Sequence, residues 1–419
     1  MTAEQLVLWN AHLADAERPL DDTRWSVTIV GDRIHAVHPI DGAERPVDAI
    51  DLDGASIAPG MIDAHLHALS GEIVRNPGFG PPPELKGGEP RPRELGYFVL
   101  AALAKAIVES GFTTVRDVGS DDLEGVALRQ AVDLGIVPGP QVLSCGRIVS
   151  ATSPGGVLFT PMYRQADGPH EVRKAVREQI RDGADFIKIM ATGARSVERE
   201  NPEPAQLTRE EIAVAVEEAH RLGLRVAAHA EGLTGTRIAV EEGVDTIEHG
   251  LAVHRDPALL ELMAEKGTTL VPTLSTFHDL AERFPESFPQ VLVDQAKRQL
   301  EEAYQSVAAA RAAGVAIALG HDSGPPGDAA IELIRLVDAG LTPREGLDAA
   351  TRSAALALGL EDRGLVAQGQ RADLVIIDRH PLRDISVLHD RAALRGVVKA
   401  GDVVYARSAE DQSLRALEG

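Results

Sequence analysis

The sequence predicts an α/β fold: a (β/α)8 TIM barrel with a small β-sandwich domain that both termini form together. Two observations support this prediction. Between about residues 57 and 360, short apolar runs alternate with longer segments of helical period, which favours parallel strands joined by crossover helices. Outside that region, strand-like runs follow one another closely and are separated by turns that carry Gly, Asp and Pro.

The strand-like runs at the two ends predict one domain that both termini share. They read LVLWNAHL, WSVTIVGDRIHAV and AIDLDG near the start, and ADLVIID and LRGVVKAGDVVY near the end. Neither set alone has enough strands for a stable core. We therefore predict that residues 1–59 plus 362–419 form the β-sandwich domain, and that residues 60–361 form the barrel.

Eight apolar runs are the candidate barrel strands. In chain order they are IAPGMIDAHLH, FTTVRDVG, QVLSCGRIV, DFIKIMATG, RVAAHAEG, DTIEHG, TTLVPTLS and AIALGHDSG. Amphipathic stretches such as REEIAVAVEEAHRLGL lie between several of them and predict the helices. A segment rich in Pro and Gly, residues 72–96, follows the first run, and we expect it to be an active-site loop.

Composition excludes several classes of partner. The formal net charge is -22, from 64 acidic and 42 basic residues, which argues against nucleic acid or an anionic membrane. No apolar run reaches the roughly 18 residues of a membrane helix. A single cysteine, Cys145, leaves no internal disulfide, and the N-terminus does not resemble a signal peptide. We expect a cytoplasmic protein with a small-molecule substrate.

Two histidines separated by one residue stand in the first barrel run. Because residues i and i+2 of a strand share a face, His65 and His67 point the same way. They lie near the C-terminal end of that strand, where the active sites of TIM barrels are found. Alone, the pair could equally be two polar residues on a solvated strand end.

Three other runs carry metal-ligand residue types at equivalent places. They end in His229, His249 and Asp322, and no more than two residues separate each from a following Gly, as expected where a strand gives way to a loop. Any one of them could be a hydrogen-bonded core residue. Together with the first pair they indicate a metal site, and imidazole and carboxylate ligands suit zinc and related divalent ions.

Lys188 lies in the middle of the fourth run, where a charged ammonium inside a barrel would carry a heavy desolvation cost. Lysine cannot ligate a metal in that form. It could be paired with a carboxylate, or form a Schiff base. It could also be carboxylated by carbon dioxide, and the resulting carbamate could bridge two ions roughly 3.5–4 Å apart.

The combination of DAHLH, IKIMATG, AAHAEG, TIEHG, GHDSG and RADLVIID resembles the amidohydrolase superfamily over nearly the whole chain. The stretch ADGPHEVRKAVREQIRDGADFIKIMATGA is similar to the prolidase-like branch, which includes zinc dipeptidases, carboxypeptidases and ochratoxin-type amidases. The resemblance implies two divalent ions, expected to be zinc, on His65, His67, Lys188, His229, His249 and Asp322. The first two histidines and the aspartate would hold the more buried ion, and the other two histidines the exposed one. The lysine would be carboxylated.

The same resemblance implies a homo-oligomer and a hydrolase of amide-type C–N bonds, in peptides or N-acyl amino acids. A metal-bridging hydroxide would attack the carbonyl, with Asp322 as general base and then acid. The alternatives are a hydrolase of carbamate- or urea-type xenobiotics, a mononuclear deaminase with an unmodified Lys188, and a non-catalytic binding relative.

The sequence departs from the branch at three places that usually touch substrate. The loop with Gly155 and Gly156 lacks a histidine, Glu231 stands where a second histidine is common, and His321 precedes Asp322. The substrate is therefore left open.

Overall fold

The computed structural model describes residues 5–68, 94–194, 197, 199–283, 285–287, 289–322 and 327–407. Almost all of the predicted active-site loop, residues 72–96, lies outside the described residues. In the described part, the strands are β1 Gln5–Leu13, β2 Trp25–Val30, β3 Arg33–Pro39, β4 Ile50–Asp51, β5 Ser56–Pro59, β6 Met61–Leu66, β7 Phe112–Asp117, β8 Gln141–Ser144, β9 Ile148–Ser150, β10 Tyr163–Gln165, β11 Ile187–Met190, β12 Val226–Ala230, β13 Thr246–His249, β14 Thr269–Val271, β15 Leu374–Ile377, β16 Leu394–Lys399 and β17 Asp402–Ala406.

The helices of the described part alternate with the central strands. They are α1 Leu95–Glu109, α2 Glu124–Asp133, α3 Pro154–Leu158, α4 Pro169–Arg181, α5 Arg209–His220, α6 Leu233–Glu242, α7 Pro257–Lys266, α8 Leu274–His278, α9 Gln290–Ala312, α10 Ile331–Asp338, α11 Pro343–Ala349 and α12 Arg352–Ala357. Short 3-10 turns cover Val253–Arg255, Pro285–Ser287 and Ile385–Leu388, and a π-turn covers Asp279–Arg283. Thr208 caps the N-terminus of α5 with a capping box. The Thr208 hydroxyl accepts from the Glu211 amide, and the Glu211 carboxylate accepts from the Thr208 amide.

Parallel pairing runs around the barrel. β6, β7 and β8 form one sheet, and β9, β11, β12, β13 and β14 continue in another that also includes β10. The third predicted strand is interrupted, since β8 pairs with β7 while β9 pairs with β11. The apolar side chains between these strands and the surrounding helices form the main core.

The eighth predicted run differs from the prediction, because residues 316–319 form only an isolated bridge, Leu270 to Ile317. The chain there still makes backbone hydrogen bonds to both neighbours. The Leu270 amide donates to the Ala316 carbonyl at 2.8 Å, and the Ala64 amide donates to the Leu319 carbonyl at 2.9 Å. The segment therefore joins β14 to β6 and closes the barrel, although it is too short to count as a regular strand.

Strands from both ends of the chain share one sheet, in the order β17-β16-β15-β5-β1-β2-β3, with β4 beside β1. β5 pairs parallel to β1 and antiparallel to β15, which connects the two ends. The apolar side chains of this terminal sheet pack into a second core. It includes the fully buried residues Leu8, Val27, Ile57, Leu374 and Val398. The predicted fold class, a TIM barrel with a β domain formed by both termini, is confirmed.

Among the described residues, no helix has both the length and the apolar character that crossing a membrane requires.

Candidate metal centre

The predicted ligands meet at the C-terminal ends of the barrel strands. The Oδ1 atom of Asp322 lies 3.3 Å from Nε2 of His65 and 3.3 Å from Nε2 of His67. The His249 ring lies between two other rings, with centroids 5.1 Å from His65 and 4.6 Å from His229. Ligand atoms of His65, His249 and Asp322 all lie within 4.8 Å of one another. Three strand ends, those of β6, β12 and β13, and the closing segment therefore deliver their donors to one place.

Hydrogen bonds on the far side of three imidazoles orient their rings. The Nδ1–H of His65 donates to Oε2 of Glu248 at 2.7 Å, and that of His67 donates to the Gly119 carbonyl at 2.7 Å. Nδ1 of His249 lies 2.7 Å from the Thr273 hydroxyl. With Nδ1 occupied in this way, each Nε2 is left to accept a metal ion, which is the usual support for a metal-binding histidine. The donor set and its orientation fit a divalent transition-metal ion.

Left-handed backbone turns place several of these groups at the strand ends. His249, Thr273 and Asp322 have φ angles of 71°, 50° and 57°. Such conformations cost free energy in non-glycine residues and persist where the surrounding structure enforces them. Here the enforcement includes the His65 carbonyl, which accepts from the Asp322 amide at 2.8 Å and from the His321 amide at 3.1 Å.

Lys188 is buried in β11, with only 2% of its surface exposed. Burial lowers the pKa of its amine to about 8, against the opposing effect of Glu248 and with a smaller contribution from the positive charge of Arg116. A larger fraction of neutral amine is therefore present near neutrality than for an exposed lysine.

Asp322 stays ionised although it is largely withdrawn from water, with 13% of its side chain exposed. Burial by itself raises the pKa of this carboxyl, but the neighbouring His65 and His67 imidazoles outweigh it and hold the pKa well below its ordinary value. Burial lowers the pKa of the neighbouring His321 to about 3, so that imidazole is neutral.

Sequence reasoning missed two charged residues at the base of the site. Glu248 accepts from His65 with one oxygen, and with the other it accepts from Nη2 of Arg116 at 2.7 Å. Arg116 also donates to the Thr246 hydroxyl at 3.1 Å and to the Ala64 carbonyl at 2.6 Å. All of these side chains are buried. A charged residue inside each of two apolar runs was the signal that could have found them, as it did for Lys188.

The side of the centre next to His229 is acidic. Oε1 of Glu231 lies 3.4 Å from Nε2 of His229, while Glu200 accepts from the amides of Gly155 at 2.7 Å and Ala194 at 2.8 Å. Burial and the negative charges of Glu200, Glu231 and Asp322 raise the pKa of the Tyr163 hydroxyl. Its hydroxyl therefore remains protonated, and it donates to Sδ of Met190 at 3.5 Å.

Comparisons with known proteins agree with this geometry. The model of the amidohydrolase family matches residues 56–404. Ochratoxinase from Aspergillus niger is 33% identical over 377 residues, which cover 82% of this chain and 75% of that protein. A crystal structure of an Xaa-Pro dipeptidase with methionine bound in its active site has a TM-score of 0.83 and 30% identity, and covers 96% of this chain and 100% of that one. A prolidase complexed with N-methylphosphonate-L-proline gives a TM-score of 0.83 at 32% identity, with the same two coverages.

The family match spans most of the chain, and both relatives of known activity cover more than two thirds of it. The chain therefore belongs to the amidohydrolase family, in its prolidase-like branch, and is a hydrolase of carbon–nitrogen bonds.

Proposed function

We propose that this hydrolase uses a two-ion centre to cleave an amide bond in a peptide or an N-acyl amino acid. The observation that carries the proposal is the convergence of four histidines and Asp322, with a buried lysine on β11, the strand that pairs with β12. His65, His67 and Asp322 would hold the inner ion, and His229 and His249 the outer one. Zinc is the expected metal, because imidazole and carboxylate donors suit it.

Lys188 supplies the remaining anionic group in this proposal. Carbamate formation requires a neutral amine, and burial lowers the pKa of this amine to about 8. A carboxylated Lys188 offers two oxygens in place of a buried ammonium, so it removes the desolvation cost and provides a bridging ligand. The opposing possibility, a lysine that only pairs with Glu248, leaves the amine charged.

Divalent ions at such a site lower the pKa of a bound water and polarise the carbonyl of the substrate. The chain's own contribution to proton transfer is Asp322, whose ionised carboxylate accepts a proton from the attacking water and returns it to the leaving nitrogen.

The substrate class is inferred from the relatives. One acts on ochratoxin and another on Xaa-Pro dipeptides, as their names state, and each covers at least four fifths of this chain. We infer that this chain hydrolyses an amide between an acyl group and an amino acid. Glu231 and the histidine-free loop at Gly155 and Gly156 are the chain-specific features expected to set the exact substrate.

A one-ion deaminase is the second candidate. It is favoured by the compact set of donors that His65, His249 and Asp322 form within 4.8 Å, the one such set found in the described part of the chain. Metal analysis of the purified protein separates the two, because the amidase proposal requires two ions per chain and the deaminase one. Hydrolysis assays on dipeptides, N-acyl amino acids, carbamates and ureas should show turnover of the first two classes. Two ions without turnover of either class would contradict the proposed substrate.

A further inference from the structure

An acidic residue, Glu231, follows His229 directly after the end of β12. Glu231 stands two residues after His229, the same spacing that separates His65 from His67 on β6. Residues so spaced at a strand end share a face. The backbone of both is fixed: the His229 carbonyl accepts from the Ala191 amide at 3.0 Å, and the Glu231 amide donates to the Thr192 hydroxyl at 3.1 Å.

The distance between the two side chains is informative. Oε1 of Glu231 lies 3.4 Å from Nε2 of His229, which is longer than the roughly 2.7–2.9 Å of a hydrogen bond to a charged group. Two donors that bind one zinc ion tetrahedrally, at about 2.0–2.2 Å each, lie about 3.3–3.5 Å apart. Asp322 shows this separation from both His65 and His67, at 3.3 Å in each case. The outer pair therefore has the same spacing as the pairs assigned to the inner ion.

Burial points in the same direction. Glu231 has 5% of its surface exposed and His229 7%. A carboxylate at this depth is stable only when it faces positive charge or strong hydrogen-bond donors. A divalent ion between the two side chains would add positive charge to the interactions that Glu231 already makes, next to the His249 ring, whose centroid lies 4.6 Å from that of His229.

We propose that Glu231 is a ligand of the outer ion, together with His229 and His249. This inference rests on the proposed two-ion centre and adds to it a carboxylate that this chain carries in place of a second histidine. A carboxylate ligand partly neutralises the outer ion and shifts the preference of that site towards ions that favour oxygen, such as manganese.

The test measures metal binding on the full-length protein. Wild type, Glu231→Gln, Glu231→His, His229→Ala and Glu200→Gln are loaded with zinc, dialysed against a calibrated chelator and analysed for metal content. We expect two ions in wild type, in Glu231→His and in the control Glu200→Gln, whose native carboxylate is held by backbone amides. Glu231→Gln and His229→Ala should each lose the weaker ion, with its Kd raised at least about 100-fold. Cobalt substitution should show the corresponding loss in the visible spectrum of the outer site.

Each outcome decides the question. Glu231→Gln with both ions bound, at Kd values within threefold of wild type, overturns the inference and leaves the two-ion function intact. If Glu231→Gln keeps both ions but has an altered pH profile of turnover, Glu231 acts in proton transfer. That result also overturns the inference. One ion in wild type, unaffected by His229→Ala, overturns the two-ion function and the inference together. Circular dichroism checks folding, and if Glu231→Gln does not fold, Glu231→Ala takes its place with the same expected loss.

Discussion

At the scale of single residues, burial and a few hydrogen bonds determine the chemistry. Lys188 loses contact with water, so its amine becomes easier to deprotonate. Glu248 connects the ring of His65 to the guanidinium of Arg116 through hydrogen bonds, so the position of His65 depends on a charge inside the barrel. Both side chains act through neighbours that lie far from them in the sequence.

Replacing Lys188 with alanine tests the carbamate. We expect Lys188→Ala to fold, to lose one ion and to lose roughly a thousandfold or more in kcat, because the proposed bridging ligand is gone. Acetate or propionate, which can occupy the vacated space as a carboxylate, should restore part of the turnover. Metal analysis and assays with and without the acids are the measurements. Two ions and activity within about tenfold of wild type would falsify the bridging role.

Replacing Glu248 tests the support of His65. Glu248→Gln should destabilise the protein by about 3–5 kcal/mol, since the buried charge of Arg116 loses its partner. It should also weaken the inner ion about 10–100-fold. The double variant Arg116→Met with Glu248→Gln separates the two effects. It should regain much of the stability in denaturant titration but not the metal affinity, and recovery of both would show that His65 is oriented without Glu248.

Residue types and spacing were enough to predict which side chains meet at the strand ends, whereas the side chains that support them were missed. His65, His229, His249 and Asp322 follow from strand ends, and the structure brings them together. Glu248 was missed because strict alternation places it on the face opposite His249. The left-handed φ of 71° at His249 breaks that alternation, so both side chains reach the site. Such a turn has no signature in the sequence, so the charge inside an apolar run was the only signal for Glu248.

At the scale of elements, ion pairs fasten the helices that surround the barrel. Glu218 of α5 is fully buried and pairs with Arg173 at 2.7 Å and Arg177 at 2.7 Å, both on α4, and with Arg221 of its own helix at 2.6 Å. These hydrogen bonds from arginines outweigh burial and lower the pKa of the Glu218 carboxyl to about 2. One carboxylate therefore holds two consecutive helices side by side.

Removing that carboxylate should loosen the two helices. Glu218→Gln is expected to cost about 1–2 kcal/mol in denaturant unfolding at pH 7, because the arginine ends remain partly exposed. Since folding lowers this pKa from 4.5 to about 2, the contribution is complete above pH 4.5 and is lost as the pH falls towards 2. The difference between variant and wild type should shrink over that range. Glu217→Gln, at an exposed neighbouring position, is the control and should change little.

The strands were easier to predict than the closure of the barrel. Seven of the eight apolar runs contain regular strands, because each pairs with neighbours over several residues. The run at 316–319 makes backbone hydrogen bonds to the strands on both sides, but it forms only one β-bridge. Periodicity predicts that a segment is buried and extended. It does not predict how many of its residues will pair in register with the two neighbouring strands.

At the scale of the whole molecule, the barrel and the terminal sheet depend on each other. β5 links them, since it pairs with β1 and β15 and leads directly into the first barrel strand, β6. The domain boundaries predicted from sequence, at residues 59 and 362, place this junction at the start of the barrel. That the termini combine could be predicted because neither end alone has enough strands for a core.

Truncation after Asp362 should leave an insoluble or unfolded product. It removes β15, β16 and β17, exposes the edge of β5 and uncovers the buried side chains of Leu8, Val27 and Ile57. A chain ending at Arg407, which keeps every strand of the sheet, is the control. Solubility and turnover are the measurements, and a soluble, active barrel from the shorter chain would show that the domains are independent.

The closing hydrogen bonds also fix an order of events on the ribosome. β6 obtains its second neighbour only when residues 316–319 have been synthesised, and β5 pairs with β15 only after Ile377 has emerged. Most of the chain must therefore leave the exit tunnel while early strands still have open edges, a state in which nascent chains are prone to aggregate. In the same way, the His65 carbonyl can accept its hydrogen bond from the Asp322 amide only after Asp322 has been synthesised. The proposed metal centre can thus be completed only after Asp322 has been synthesised, and a chain that terminates before that residue lacks its carboxylate.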